Sequence, residues 1–231
     1  MKTIGIIGGL TWYSTLDYYR LLNELVNKRL GGVHSGKIIL NSVDFAEIKP
    51  LTEKEEWKAI AVIICKAARS LELGGADCIM IGANTMHKIA DEIQAAVTIP
   101  VIHIAGAVAA SVKKKGLKKV ALLGTKYTMQ LDFYKNILLS HGISTVIPSG
   151  NDIEFINNSI YTEFSKGIFL PETKKEYLAI IDKMKTMGFE GVILGCTEIP
   201  ILIKQEDCDL PLFDSAYIHS MAAVDFALQE C

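Results

Sequence analysis

The sequence lacks the features that mark membrane-spanning and nucleic-acid-binding proteins. Its longest apolar runs are much shorter than the roughly 18 residues that a membrane-spanning helix requires. Basic and acidic side chains nearly balance over the 231 residues, and the net charge is −2. A strongly basic surface for nucleic acid or anionic lipid is therefore not expected. We predict a protein that binds neither a membrane nor a nucleic acid.

The sequence also lacks the cysteine and histidine spacings of metal sites. None of the five cysteines forms a Cys-x-x-Cys pair, and no two of the five histidines are four residues apart. A metal site is therefore not expected. Cys65 and Cys78 fall in predicted elements and are interpreted as small core residues, whereas Cys208 and Cys231 look peripheral.

The N-terminal sequence contains two incomplete patterns, one of a signal peptide and one of a dinucleotide-binding turn. The stretch 1–12 superficially resembles a signal peptide, but its apolar core is short and rich in glycine, and no small-x-small cleavage site follows. Together with an odd number of cysteines, this predicts free thiols in the cytoplasm. The turn "GIIGG" at 5–9 does not complete the dinucleotide pattern Gly-x-Gly-x-x-Gly, so no nicotinamide cofactor is expected.

The chain does contain an alternation of short apolar strands and amphipathic helices. In the first half, strands are predicted at 3–9, 37–45, 76–83 and 99–105, and helices at 14–30, 55–75, 87–97 and 106–116. Ser14 is the predicted N-cap of the first helix. The alternation predicts an α/β fold in which helices cover both faces of a parallel sheet.

The pattern then starts again in the second half. "KKVALLGT" (118–125) resembles the opening "KTIGIIGG", and "FEGVILGCT" resembles "ADCIMIGANT" at nearly equal spacing. Helices are predicted between them at 130–143 and 174–188, with a short strand "STVIP". We predict two similar lobes related by an internal repeat. The first comprises residues 1–105, completed by a C-terminal helix at 215–231, and the second comprises residues 106–214.

Four turns follow the matching strands of the two predicted lobes: "GGLTW", "GANTM", "GTKYT" and "GCTEI". Ligands of open parallel sheets bind beyond the carboxyl ends of the strands, so these turns should meet in an interlobe cleft. Helix N-termini favour anions there and should lower the pKa of a cysteine below about 8.5. Yet the two corresponding turns differ, because Cys196 stands in one where Ala83 stands in the other.

Motifs along nearly the whole chain resemble those of the aspartate/glutamate racemase family, the cofactor-independent amino-acid racemases. They include "MKTIGIIGGLTWYST", "RLGGVHS", "NSVDFAEI", "NTMHKIAD", "VALLGTKYTM", "LDFY", "GVILGCTEIP" and "LPLFDSAYIHS". The resemblance implies that one thiolate removes the α-hydrogen and a thiol on the opposite face returns a proton. Cys196 occupies the position of the family's second thiol, and Ala83 stands at the position of its first. A homodimer and a small dicarboxylate amino acid as ligand are also implied.

The resemblance and the matching turns assign further residues to a substrate pocket: Leu10, Thr11, Asn84, Thr85, Thr125, Thr128, Thr197 and Glu198, with Tyr161 beside a lid. The segment 47–57, interpreted as a loop, should bind the side-chain carboxylate through Lys49, Thr52 or Lys54. His87 titrates near neutrality and is a candidate proton donor. We interpret it as structural, because it should point along the first helical turn.

Three functions are compatible with a single thiol at the paired positions. The first is racemisation of aspartate or glutamate, of either handedness, impaired or one-sided because Ala83 cannot carry a proton. The second is a decarboxylase of the same superfamily, in which one cysteine protonates a planar intermediate. The third is a protein that binds acidic amino acids without catalysis. Turnover of malonate-type acids would favour the second function, and binding without α-hydrogen exchange the third.

Overall fold

The computed structural model describes residues 1–229, and these form two compact units. The first unit contains residues 1–104 and the segment that begins at His219, and the second contains residues 105–218. Each unit has one sheet, and every strand pair in both sheets is parallel. The predicted α/β class, with two parallel sheets flanked by helices, is confirmed. Cys231 lies outside the described residues.

The first unit has a three-stranded sheet in the order β2-β1-β3. Its strands are β1 (Ile4–Gly8), β2 (Ile38–Ser42) and β3 (Cys78–Ile81). Its helices are α1 (Trp12–Leu30), α2 (Phe45–Glu53), α3 (Trp57–Leu73) and α4 (Ala90–Ala96), with a 3₁₀ helix at Thr85–Ile89.

The second unit has a four-stranded sheet in the order β5-β4-β6-β7. Its strands are β4 (Lys119–Gly124), β5 (Ser144–Val146), β6 (Val192–Gly195) and β7 (Leu212–Asp214). The remaining helices are α5 (Ile104–Lys114), α6 (Lys126–Gln130), α7 (Asp132–Ser140), α8 (Gly150–Thr162), α9 (Pro171–Met184), α10 (Ile199–Leu202) and α11 (Ser215–Leu228), with 3₁₀ helices at Phe164–Lys166, Lys185–Met187 and Gln205–Asp207. Helix α5 begins at the end of the first unit, and α11 continues into it.

The two sheets share one arrangement. A central strand, β1 or β4, is flanked on one side by the next strand in sequence and on the other by β3 or β6. Gly124 pairs with Gly195, and the Gly82 N–H donates to the Ile7 carbonyl at 2.9 Å. The sequence repeat therefore corresponds to equivalent strands. Ala83 and Cys196 each follow the glycine at the carboxyl end of the equivalent strand.

The prediction of a fourth strand in the first half, at 99–105, is wrong. Only Val101 forms a parallel bridge, to Ile79. The neighbouring bonds run from the Ile79 N–H to the Pro100 carbonyl and from the Ile102 N–H to the Ile79 carbonyl. Helix α5 begins two residues later, at Ile104, and ends the extended stretch. This segment lies beside β3 as β7 lies beside β6.

Several predicted boundaries and elements also differ from the structure. The N-cap of α1 is Thr11 rather than Ser14, since the Thr11 side chain accepts from the Ser14 N–H. The segment 47–57 is mostly helical, because Asp44 caps α2 and Pro50 is accommodated inside it. Helix α8 and strand β7 occupy stretches for which the sequence predicted no element.

Each unit has its own apolar core. In the first, Ile79 and Ile81 of β3 pack with Ile60 and Ile64 of α3. In the second, Leu123 and Leu194 belong to a cluster with Ile156, Tyr177 and Ile181. Cys78 is completely buried, and burial raises its pKa to about 12, as befits a small core residue. Among residues 1–229, no helix is long and apolar enough to cross a membrane.

Candidate functional site

Cys196 is a buried thiol at the carboxyl end of β6. Its Sγ–H donates to Glu198 Oε2 at 3.0 Å, and the Thr197 hydroxyl donates to the same oxygen. All three side chains are at least nine-tenths buried, with Cys196 at 9% exposure and Glu198 at 4%. The thiol and the carboxylate are therefore linked through one hydrogen.

This environment contradicts the expectation that the turn lowers the pKa of Cys196. Burial raises the pKa of the thiol well above its ordinary value, and the negative charge of Glu198 and its hydrogen bond raise it further. The backbone N–H groups of Glu198 and Thr197 act in the opposite direction, but more weakly. Helix α10 has only four residues, so its dipole is small. Cys196 therefore rests as a thiol.

Two glycines allow the turns after β4 and β6 to come close together. A Cβ on Gly124 would lie 2.7 Å from the Gly195 carbonyl oxygen, and a Cβ on Gly195 would lie 2.8 Å from the Leu123 carbonyl oxygen. Thr125 caps α6 by accepting from the Thr128 N–H at 3.3 Å. The methyl group of Thr128 would be 3.3 Å from a Cβ on Gly195. The second unit thus gathers both threonines beside the turn that carries Cys196.

The first unit joins the turns after β1 and β3 in a similar way. The Ser14 hydroxyl donates to the Gly82 carbonyl at 3.1 Å, and the Gly9 N–H donates to Thr15 Oγ1 at 2.8 Å. Gly9 has a φ of 78°, a conformation that favours glycine.

Five predicted site residues of the first unit lie in these two turns, whereas Thr52 lies in α2. Leu10, Asn84 and Thr85 are buried, and Thr11 and Ala83 are half-buried. Ala83 also packs against the apolar core of this unit. The structure therefore places these five residues at the carboxyl ends of β1 and β3.

The proposed carboxylate-binding segment has a different form from the predicted loop. Thr52 is buried in α2, and its hydroxyl donates to the Ile48 carbonyl at 3.0 Å, so its proton is already used inside the helix. Lys49 is exposed and lies 3.8 Å from the Glu53 carboxylate, and Lys54 is the exposed C-cap of α2. Only the two lysines keep an ammonium group at the surface of this segment.

Tyr161 lies in the last turn of α8 rather than in a lid loop. It is half-buried, and its backbone carbonyl accepts from the Ser165 hydroxyl at 2.8 Å. The same helix supplies Asn157, whose Oδ1 accepts from the Lys126 N–H at 3.0 Å. Helix α8 therefore supports the turn after β4, a role that the sequence alone did not reveal.

A cluster of three imidazoles adjoins the Ala83 turn; His87 and His219 are buried and His103 is half-buried. The ring centroids of His87 and His103 are 4.8 Å apart, and those of His87 and His219 are 5.4 Å apart. The Tyr18 hydroxyl is 3.0 Å from His219 Nδ1, and His219 Nε2 is 2.6 Å from the Ile102 carbonyl oxygen. Within residues 1–229 no group of acidic, cysteine or histidine side chains is placed to hold a metal ion.

Both ring nitrogens of His87 are engaged. Nδ1 lies 2.9 Å from the Ala83 carbonyl oxygen, and Nε2 accepts from the Ile104 N–H at 3.1 Å. Burial and the neighbouring imidazoles lower the pKa of His87 well below its ordinary value. These bonds agree with the structural interpretation and not with a proton donor. Sequence reasoning missed His103, His219 and Tyr18, because only the fold brings them beside His87.

Comparison with known proteins gives consistent matches over nearly the whole chain. A family model described as Asp/Glu/hydantoin racemase matches residues 7–223. The broad-specificity amino-acid racemase RacX of Bacillus subtilis (strain 168) is 23% identical over 225 residues, which cover 92% of each chain.

Solved structures resemble this chain over its full length. A candidate Asp/Glu racemase from Yersinia pestis is 46% identical with a TM-score of 0.93, covering 99% of this chain and 100% of that one. An aspartate racemase homologue from Pyrococcus horikoshii OT3 is 38% identical with a TM-score of 0.87, at the same coverage.

Proposed function

We propose that this chain, which belongs to the Asp/Glu/hydantoin racemase family, exchanges the α-hydrogen of an acidic amino acid through Cys196 without a cofactor. Aspartate and glutamate are the proposed substrates, because the similar protein from Yersinia pestis is described as a candidate Asp/Glu racemase and the one from Pyrococcus horikoshii as an aspartate racemase homologue. Net racemisation is proposed to be slow, because Ala83 cannot carry a proton. A cytoplasmic location is proposed along with this function.

The main support for the proposal is that two equivalent positions carry different side chains. Cys196 and Ala83 each follow a glycine at the carboxyl end of an equivalent strand. Only Cys196 has a group that can accept or donate a proton, and that group is hydrogen-bonded to Glu198. A reaction that needs a proton carrier at each position would lack one of them.

The chemistry proposed at Cys196 is proton transfer at Cα. The resting thiol first passes its proton to Glu198 Oε2, to which it already donates. The thiolate then takes the α-hydrogen to give a thiol and a carbanion, and the reverse step returns a proton to Cα. A thiol whose pKa is raised by burial and by Glu198 gives a strongly basic thiolate. The positive ammonium group of an approaching amino acid favours that thiolate. Oriented backbone N–H groups are proposed to stabilise the carbanion through the substrate carboxylate.

The test is incubation with L- and D-aspartate and L- and D-glutamate in heavy water. Mass spectrometry measures deuterium at Cα, and chiral chromatography measures inversion. We expect one enantiomer to exchange much faster than the other, with little net inversion. Cys196→Ser should abolish exchange, whereas Cys208→Ser, a change at a half-buried thiol outside this turn, should leave it unaltered. Equal exchange by wild type and Cys196→Ser would exclude Cys196 as the proton carrier.

A decarboxylase is the second candidate, and the protonated state of Cys196 favours it. A resting thiol is suited to donate a proton to a planar intermediate that loss of carbon dioxide creates. Release of carbon dioxide from malonate-type acids, abolished in Cys196→Ser, would support this candidate. Absence of turnover with both substrate classes, combined with tight binding of aspartate or glutamate, would instead indicate a binding protein.

We also propose a homodimer, as the family resemblance implies. One face of α1 exposes Trp12, Leu16 and Tyr19, which are 58%, 57% and 54% exposed. These residues lie at helical spacing and form an apolar stripe that a second copy could cover. Light scattering coupled to size-exclusion chromatography measures the mass. A monomeric mass at micromolar concentration would contradict the proposal.

A further inference from the structure

The bonds of His87 determine which of its ring nitrogens carries the hydrogen. A carbonyl oxygen can only accept, so the bond to the Ala83 carbonyl requires hydrogen on Nδ1. A backbone N–H can only donate, so the bond from Ile104 requires a bare Nε2. The neutral Nδ1–H tautomer alone satisfies both partners. The low pKa of the buried ring keeps this neutral form.

The bond from His87 also fixes the peptide unit that joins Ala83 to Asn84. A trans peptide is planar, and its C=O and N–H groups point in opposite directions. Because Ala83 O points at His87 Nδ1, the N–H of Asn84 points away from the imidazole. Rotating this peptide by half a turn would direct the N–H at the donor on Nδ1 and leave the ring without an acceptor.

We propose that His87 is a positioning residue that fixes the direction of the 83–84 peptide, so that the Asn84 N–H binds the substrate α-carboxylate. This inference rests on the proposed function, because it assigns a binding role to the turn that follows β3. His87 does not touch the substrate in this arrangement. It acts through the peptide that it holds, while its other nitrogen anchors the ring to the start of α5.

The bond to Ile104 explains why a histidine suits this position. A side chain that only donates would leave the Ile104 N–H without its acceptor, and a side chain that only accepts would not hold the Ala83 carbonyl. Glutamine can donate and accept at once, whereas phenylalanine can do neither and has a ring of comparable size. His87→Gln and His87→Phe therefore form a matched pair.

The control is Tyr18→Phe. It removes the hydroxyl that bonds to His219 Nδ1 in the same imidazole cluster, but it leaves the 83–84 peptide untouched. A purely structural role for the cluster would lower the unfolding temperature of His87→Phe and Tyr18→Phe without changing the affinity of either for a ligand.

The experiment combines ligand-free crystal structures of the variants with calorimetric titration of L-aspartate. We expect His87→Phe to reverse or disorder the 83–84 peptide and to bind L-aspartate about 10- to 100-fold more weakly, as for a lost hydrogen bond to a charged group. His87→Gln should keep the peptide direction and most of the affinity, and Tyr18→Phe should bind like wild type. An unchanged peptide in His87→Phe would overturn the inference, as would equal losses of affinity in His87→Phe and Tyr18→Phe.

A measurement on the wild-type protein makes the test independent of the folding of the variants. Nitrogen NMR of the His87 ring identifies the protonated nitrogen, and an Nε2–H tautomer would overturn the inference directly. If wild type does not bind L-aspartate, the proposed function fails together with the ligand assigned to the Asn84 N–H. In that case a reversed peptide in His87→Phe would still show that His87 sets its direction.

Discussion

His219 should make the protein sensitive to acid. Its ring is completely buried, with Nδ1 beside the Tyr18 hydroxyl and Nε2 beside the Ile102 carbonyl. Its pKa is lowered to about 4, mainly by burial and to a smaller extent by the adjacent His103, against the opposing effect of the bond to Ile102. His87 is a third imidazole in the same cluster. No carboxylate among the contacts described for His219 offsets its desolvation.

The size of the effect follows from the difference between the folded and unfolded pKa values. An unfolded histidine titrates at about 6.5, and each pKa unit corresponds to about 1.36 kcal/mol. With a folded pKa of about 4, the unfolded state binds more protons between these two values, so stability rises with pH in that window. The stability that depends on a neutral His219 ring is fully present above pH 6.5 and is lost as the pH falls towards 4. His219 alone should therefore reduce the free energy of unfolding by about 3 kcal/mol.

The assay is urea unfolding of wild type and His219→Gln at several pH values from 8 to 4. Glutamine can donate to the Ile102 carbonyl but does not titrate. The variant should be less stable than wild type at pH 8, yet lose about 3 kcal/mol less stability on acidification. His34→Gln, at an exposed histidine, is the control and should follow wild type. Equal pH dependence in wild type and His219→Gln would refute the reasoning.

Three further predictions concern the two matching turns. Ala83→Cys should raise net racemisation by about 10²–10⁴-fold, the usual contribution of a general acid or base, and chiral chromatography measures it; an unchanged rate would mean that another group supplies the second proton. Glu198→Gln should lower the pH at which iodoacetamide alkylates Cys196, because Glu198 raises the pKa of the thiol. A shift of the alkylation profile to higher pH would contradict that charge effect. Gly195→Ala should destabilise the protein by about 1–3 kcal/mol in urea unfolding, since the new Cβ would meet the Leu123 carbonyl oxygen at 2.8 Å. If the variant were as stable as wild type, β4 and β6 would be able to separate without cost.

The sequence by itself determined the α/β class, the internal repeat and the family. Apolar strands alternate with amphipathic helices in both halves, and this local pattern depends on residues close together in the chain. The comparison of Ala83 with Cys196 needed only the repeat, because matching glycines precede both residues. The sheet order then gave the repeat its structural meaning.

Local sequence patterns gave wrong predictions at two segments whose structure depends on neighbouring elements. The segment 47–57 is interpreted as a loop from the sequence, although the Asp44 cap and the buried Ile48 support a helix that accommodates Pro50. The stretch at 99–105 has strand-like composition, but α5 begins at Ile104 and leaves only one bridge. Both outcomes depend on packing against the rest of the unit rather than on the composition of the segment.

Only the tertiary structure decided the protonation states. A turn before a helix suggested a stabilised thiolate at Cys196, but burial and the Glu198 carboxylate reverse that effect. His87 gave no sign in the sequence of its bond to Ile104, and His219 lies far away along the chain. A pKa depends on the solvent and charges around a group in space, and folding brings these together from segments that local sequence patterns do not connect.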